Sequence, residues 1–308
     1  MELEKIVANL AQKVERRFFG KYRGLVVDDA DPEMLGRLKI QVPSVLGADV
    51  VTGWALPCLP YGGDVNQGML FIPEVGAGVW VEFEEGDLEF PIWVGTFWSK
   101  PDGESELPKP NDADGTEQDS VQDPPTRKIF KTKAGHTLQF EDAEGEEMIL
   151  LNDAVNQHVL AMNQDGITLS DGTNDNSVVM DSNGILVTDA NSSTVTLDSA
   201  GITVADGVNN HEVALSGQGI SVTDGVNQHQ VNLDSMGVSI QAVSGAKIEI
   251  TAAGITIDSA GTPIQVNGTP VMLSSSAALP VARLTDQGIG NLGAPVVITA
   301  VGNPMVLA

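Results

Sequence analysis

Cysteine occurs once in the 308 residues, as Cys58, which excludes an intrachain disulfide and fits synthesis in a reducing compartment. Lying between Leu56 and Leu59, it reads as a buried structural thiol. Basic residues are scarce and unevenly placed. Residues 1–109 carry 10 Lys+Arg against 18 Asp+Glu, the remainder 6 against 24, and after Lys133 only Lys247 and Arg283 are basic. Such an acidic surface repels nucleic acid and anionic lipid, so neither is expected as a stable partner. Aromatic residues stop early: all four Trp and both Tyr precede residue 100, and the last Phe are Phe130 and Phe140. Everything beyond must build its core from small aliphatics, which suits narrow repetitive β structure. No apolar run is long enough to span a bilayer. Residues 1–19 lack a continuous apolar stretch, so no secretory leader is expected and the chain is expected to be made in a cytoplasm.

What is present begins with Leu3, Ile6, Val7, Leu10, Val14 and Phe18, whose steps of three and four predict an amphipathic helix over 2–19, ended by Gly20. From Lys21 to Trp98 the pattern becomes short apolar or alternating runs bounded by Pro, Gly and Asp. Five or six such strands in about 80 residues predict a small closed barrel of the OB type. OB barrels often bind nucleic acid, but here the aromatics are not interleaved with Lys or Arg along the chain, so Trp54, Trp80, Trp93 and Trp98 read as core and interface anchors. Residues 100–126, rich in Pro, Asp, Glu and Ser without apolar periodicity, read as an exposed linker.

A fixed period governs the second half. Gly166, Gly184, Gly201, Gly219, Gly237 and Gly254 are each followed by Ile or Val, at spacings of 18, 17, 18, 18 and 17. Two alternating aliphatics follow each Gly (Ile220 and Val222, for example) and two precede it (Val213 and Leu215), so each unit is a pair of short strands with one apolar face apiece. Asp-Gly, Asn and Gly recur at the connections, where positive φ is tolerated. Four inward aliphatics per unit cannot fold alone and need neighbours. A single-chain parallel β-helix and an intertwined trimer both supply them. The narrow interior favours the trimer, and roughly 12 strand layers at about 4.8 Å make a rod of about 60 Å.

Candidate chemical groups are few. His158, His211 and His229 lie in related turns and could form rings of three in a trimer, but no Cys or acidic pair stands at ligand spacing, so they read as turn residues bonded to backbone; His136 reads as structural. The turn aspartates lack the GGxGxD pattern of calcium β-rolls. Asp87 and Glu89 sit in an acidic turn rather than a cleft. No catalytic, cofactor-binding or metal-ligating residue is therefore assigned, and no enzymatic activity is expected.

Lys21, Tyr22, Gly24, Asp31, Pro32, Leu35, Gly36, Arg37, Val42, Pro43 and Ser44 resemble the opening of the OB domain in the central spike proteins of contractile phage tails and type VI secretion, the baseplate assembly protein V and VgrG family. Trp54-Ala55, Pro73, Val75-Gly76, Val79-Trp80-Val81, Phe83, Gly86-Asp87, Pro91, Trp93, Gly95 and Trp98 continue the resemblance. Residues 134–150 are similar to the strand pair by which those proteins enter their trimeric β-helix. The resemblance implies a homotrimeric, cell-puncturing spike seated on a baseplate hub and assembled into a virion or injection particle. No hub-ring domain precedes the barrel, so the hub is expected to be a separate polypeptide, and no lysozyme domain fills 100–126. Residues 269–308 are apolar, Gly-rich and nearly uncharged, and within them VARLTDQ (281–287) and the closing GNPMVLA (302–308) resemble tip or PAAR-type segments; a PAAR-type tip protein is a further possible partner, and contact with the target envelope is transient. A receptor-binding fibre or adhesin is the alternative function.

The expected fold is thus all-β: an N-terminal helix (1–19), an OB-fold domain (20–99), a linker (100–126), an intertwined trimeric β-helix (127–268) and a short β tip (269–308).

Overall fold

Alternation of apolar and polar residues becomes strand throughout the chain. The computed structural model describes residues 4–7, 17–266, 287–289 and 295–297, and the chain falls into two units, Met1–Gln164 and Asp165–Ala308. Among the described residues, no helix is long and apolar enough to cross a membrane.

In the first unit, β1 (Tyr22–Asp28), β2 (Lys39–Gln41), β3 (Leu56–Pro57), β4 (Gly78–Phe83) and β5 (Pro91–Thr96) form a sheet in the order β2-β1-β4-β5-β3. Bridges Leu38↔Ala55 and Gln41↔Val51 join its two ends into a barrel. Its interior is Val26, Leu38, Ile40, Val42, Ala55, Val79, Val81, Phe83 and Trp93, with every second residue of β4 pointing in. Two motif glycines are explained by close approach. A Cβ on Gly24 would lie 2.4 Å from Ile40 Cγ2, and one on Gly36 would lie 2.9 Å from Ile72 Cδ1 at a φ of +73°. The Gly36 carbonyl accepts a hydrogen bond from Trp93 Nε1 at 3.1 Å, which ties the 31–37 loop to the barrel.

Asp31 organises that loop. Its carboxylate accepts the amides of Glu33, Leu35 and Arg37 and the Arg37 guanidinium (Nη2 at 2.7 Å). The Arg37 guanidinium holds the Asp31 carboxyl well below the usual carboxylate range, against the opposing effect of burial and with help from the three amides. The conspicuous Asp-Pro…Gly-Arg stretch is therefore a loop-fixing device.

Three expectations need correction here. Residues 4–7 are helical, but 17–19 are not: the Phe18 amide donates to the Gly86 carbonyl at 2.9 Å, and Phe18 packs against the barrel core with Tyr22. The helix predicted to 19 therefore stops short of Arg17, and most of it lies outside the described residues. Cys58 is exposed, not buried: it follows the end of β3 on the same side as Leu56, which is exposed with it. Residues 100–126 are not a free linker along their whole length, since Pro110 and Asn111 are buried. Of the tip, 269–308, β21 (Gln287–Ile289) and β22 (Pro295–Val297) pair antiparallel; the remainder lies outside the described residues.

The first unit continues with β6 (Arg127–Lys131), β7 (Thr137–Glu141), β8 (Met148–Asp153) and β9 (His158–Asn163), each antiparallel to the next. The second unit is an antiparallel meander of β10 (Gly166–Asp171), β11 (Asn176–Asp181), β12 (Gly184–Thr188), β13 (Thr194–Asp198), β14 (Gly201–Ala205), β15 (Glu212–Ser216), β16 (Gly219–Thr223), β17 (Gln230–Asp234), β18 (Gly237–Gln241), β19 (Lys247–Thr251) and β20 (Gly254–Asp258). Short and long turns alternate. At the short turns an Asp side chain bonds the amide two residues on, as Asp234 does with Met236 at 2.7 Å. The periodic Gly then opens the next strand with φ between +134° and +142°. A Cβ on Gly219 would lie 2.0 Å from the Leu233 carbonyl oxygen.

Gly219→Ala is expected to lower stability by about 1–3 kcal/mol. Gly217→Ala, in the same turn with no atom within 4 Å of its Cβ, should change little. Calorimetric melting of the two variants side by side checks this; equal melting temperatures would contradict it.

Candidate assembly surface

The register of the meander places two aliphatic residues of every strand on one face, with Val179 and Leu186 on the other. Leu215 pairs with Ile220, Ile220 with Leu233 and Leu233 with Val238, forming one column. Val213, Val222, Val231 and Ile240 form a second column beside it through the same pairings. Both continue from β10, where Ile167 and Leu169 face Met180 and Val178, to β20, where Ile255 and Ile257 face Ile250 and Ile248. Thr196, Thr203, Ala214, Ser221, Asn232, Ser239, Glu249 and Thr256 form a single, mostly polar column on the opposite face. Within this unit each of β11–β19 is paired on both sides by its neighbours in sequence, so their backbone ladder needs no other chain. The side chains do: Ile220 is 41% exposed, and Leu215, Val222 and Leu233 are similarly open. A continuous apolar face of this length on an acidic chain marks an interface.

Strands β6–β9 show the same asymmetry more sharply. Phe130, Leu138, Leu151 and Leu160 pair in register on one face, and Leu151 is 54% exposed. The other face carries Gln139, Leu150 and Ala161 in one row, with Thr137, Glu141, Asn152 and Val159 alongside, and all of these are buried. What covers them is the chain's own residues 110–126. The Gln139 carboxamide pairs with the backbone of Asn111, accepting its amide at 2.9 Å and donating to its carbonyl at 2.8 Å. Asn152 Nδ2 donates to the Gly115 carbonyl at 3.1 Å. Gly115 is pressed so close that a Cβ would lie 2.6 Å from Val159. Lys131 Nζ bonds the Lys109 carbonyl and Asn111 Oδ1 and pairs with Glu117. The chain thus straps over its mixed, hydrogen-bonding face and leaves the more apolar one, on which Lys128 faces Phe140, bare.

Glu141 anchors the end of the strap. It accepts from the Thr126 hydroxyl, Arg127 Nε at 2.5 Å, Gln122 Nε2 at 3.0 Å and the Ala143 amide at 2.9 Å. Burial pushes its carboxyl up, but these donors together hold it at about 2.

The long turns stack along one edge of the meander. Asp171, Asp206 and Asp224 each accept the side-chain amide of the Asn three residues on. In Asp171 and Asp224 that Asn is the main cause of a carboxyl held below its ordinary value. His211 Nδ1 lies 3.1 Å from the Gly225 amide, and His229 Nδ1 lies 3.2 Å from the Val243 amide. Asn176 and Ser193 make the equivalent bond to the turn above them, so these positions form a side-chain-to-backbone ladder of fixed step. His158 occupies the corresponding turn position, following the positive-φ residue Gln157 as His211 follows Asn210, and opens β9 opposite Asp153. His136 Nδ1 lies 3.0 Å from Asp153 Oδ1. Asp87 pairs with Arg17 at 3.1 Å and accepts the Glu89 amide, so that turn is internally bonded. No group of three His, Cys, Asp or Glu among the described residues is arranged to hold a metal ion.

On the barrel, Arg23 lies over the rings of Trp80 and Phe97, and Arg37 and Lys39 lie over Trp54. Folding thus brings cations to aromatic faces that the linear sequence keeps apart, and those faces are taken up within the chain.

Residues 22–98 match the family model of the Type VI secretion system/phage-baseplate injector OB domain. No curated protein matches the chain.

Because the folded-state value of Glu141 lies below that of a free Glu, its contribution to stability is complete above about pH 4.5 and disappears as the pH falls towards about 2. Glu141→Gln is expected to melt lower than wild type at pH 7, with the gap closing below pH 4. A constant gap across that range, in parallel thermal melts, would show that the carboxylate does not secure the strap.

Proposed function

We propose, from the premise that this chain is a baseplate spike-family protein carrying an injector OB domain, that it is a homotrimeric central spike which breaches a target envelope by mechanical force. One observation carries the reading: residues 110–126 cover the polar-rich face of β6–β9 while the apolar face is left open. A chain that functioned alone would place its covering segment on the apolar side, where burial contributes about 25 cal/mol per Å². Three copies turned inward bury that face against one another and keep the strap and the polar column outside. The OB barrel provides attachment to a separate hub protein of the baseplate. The stacked hairpins form the shaft, and residues 269–308 its point, with or without a PAAR-type cap.

Such a shaft transmits load because its layers are hydrogen-bonded in a continuous ladder and its interior is aliphatic and dry. Turns fixed by Asp, Asn and His side chains hold each layer at a constant step. The reading assigns the chain no catalytic activity: its work is positional, and energy is supplied by contraction of the machine around it.

Light scattering at micromolar concentration is expected to give three times the 32.3 kDa chain mass. Leu215→Lys combined with Val222→Lys puts charges into both columns and should reduce the mass towards that of one chain. A wild-type monomer would sink the trimer. For the mechanical role, particles lacking the chain should fail to complete a baseplate; complete baseplates that had lost only adsorption would assign it instead to receptor binding.

A further inference from the structure

The barrel carries a second uncharged surface that the fibre does not account for. Residues 61–69 form a Gly-rich arm, held by the Met69 amide donating to the Tyr61 carbonyl at 3.1 Å and an Asp64↔Gln67 bridge. Between this arm and the Asp31-fixed loop runs an open groove of about 1100 Å³. Its lining includes Met34, Leu35, Cys58, Tyr61, Met69 and Leu70, and contains no Asp, Glu, Lys or Arg. Met34 is 89% exposed and Val65 88%, at the tips of the two loops, and Leu70, beside the base of the arm, is 78% exposed. Met34 also holds a φ of +54°, an unfavourable conformation for a residue with a Cβ, maintained by the Asp31 hydrogen bonds on either side of it.

We infer that this groove is a self-association surface, in which each barrel of the trimer seats the apolar loop tips of a sister barrel. The inference rests on the trimeric reading above. Two observations select a sister chain over a different protein. The first is charge: residues 1–109 carry 10 Lys+Arg against 18 Asp+Glu, so identical barrels share an excess of one sign and repel overall. A charge-free patch lets copies meet without bringing those excess carboxylates together, whereas a contact with another protein could use the acidic surface against basic residues. The second is continuity. Phe71, at the base of the arm, stacks on Phe130 with ring centroids 6.4 Å apart, and Phe130 begins the bare apolar face of β6–β9. The groove and that face therefore belong to one apolar surface within the first unit. The fixed loop suits this role, because a tip already held in its bound shape loses little entropy on docking.

Cys58, the only thiol in the sequence, lies in the groove and is exposed in the single chain, so it reports directly on occupancy. The test is the rate at which the full-length protein reacts with a disulfide reagent such as 5,5′-dithiobis(2-nitrobenzoate), referred to the chain unfolded in guanidinium. In the native trimer the reaction is expected to be at least tenfold slower than in that reference. Met69→Lys, which places charge in the groove, should restore fast reaction while the fibre keeps the mass trimeric. A trimer whose Cys58 reacts at the unfolded rate overturns the groove contact and leaves the trimer standing. Protection that persists in Met69→Lys also overturns it, since the chain's own arm then shields the thiol. So does protection that appears only in complete particles, which assigns the groove to another component. A monomeric wild type overturns both readings.

Discussion

The second unit depends on one constraint: each strand carries two aliphatic side chains on one face, and among the described residues nothing covers them. Hairpin register stacks these residues in two columns, Leu215–Ile220–Leu233 and Val213–Val222–Val231. A flat ribbon can satisfy its backbone hydrogen bonds internally, yet its apolar face remains in water. In the proposed trimer, burial by identical copies resolves the conflict without any new type of surface, with three narrow ribbons turned inward around an interior of Ile, Leu and Val. Backbone pairing would then be local to one chain and side-chain burial a property of the assembly. That division lets the meander be long and regular without requiring chains to exchange strands.

The remaining features follow from keeping the ribbon thin and its copies soluble. A tight hairpin every second strand demands Gly where the next strand begins, because the carbonyl of the facing strand occupies the place of a Cβ. Long turns carry Asp and Asn, whose side chains satisfy turn amides and leave negative charge at the surface. At the start of the sheet the strap from 110–126 adds stability through polar contacts: Gln139 acts as a short extra strand partner for Asn111, and Glu141 collects four donors. Buried polar groups of this kind are tolerable only when bonded; the Gln139 and Glu141 side chains are, while Nη1 of the neighbouring Arg127 is buried without a partner.

Much of this was legible in the sequence. The period of glycines and the alternating aliphatics around them give the strands, the turns and the missing partner, because each is imposed by backbone sterics or by burial. The barrel was equally readable from its bounded strands and its Asp31-to-Arg37 and Trp93 motifs. The strap was not, since residues 110–126 have no apolar pattern and are bound by side-chain amides and carboxylates. A signal did exist: Thr137, Gln139 and Glu141 alternate with Leu138 and Phe140, so a polar row was available for a polar partner. Cys58 was misread because flanking Leu residues suggest burial only when they share its environment, and Leu56 is itself exposed. Nor could one-dimensional spacing show Arg23 over Trp80, a contact made only when β1 pairs with β4.

Two methionines offer the most direct measurement of the central claim that the apolar face is covered. Met180 lies in the ladder and is 38% exposed in one chain, while Met236 stands in a turn at 74%. Peroxide oxidation of the native protein, read residue by residue by mass spectrometry, should convert Met236 to the sulfoxide and spare Met180. Oxidation of both at comparable rates would mean that the face is open to water, and that the fibre is not built by sister chains closing over it.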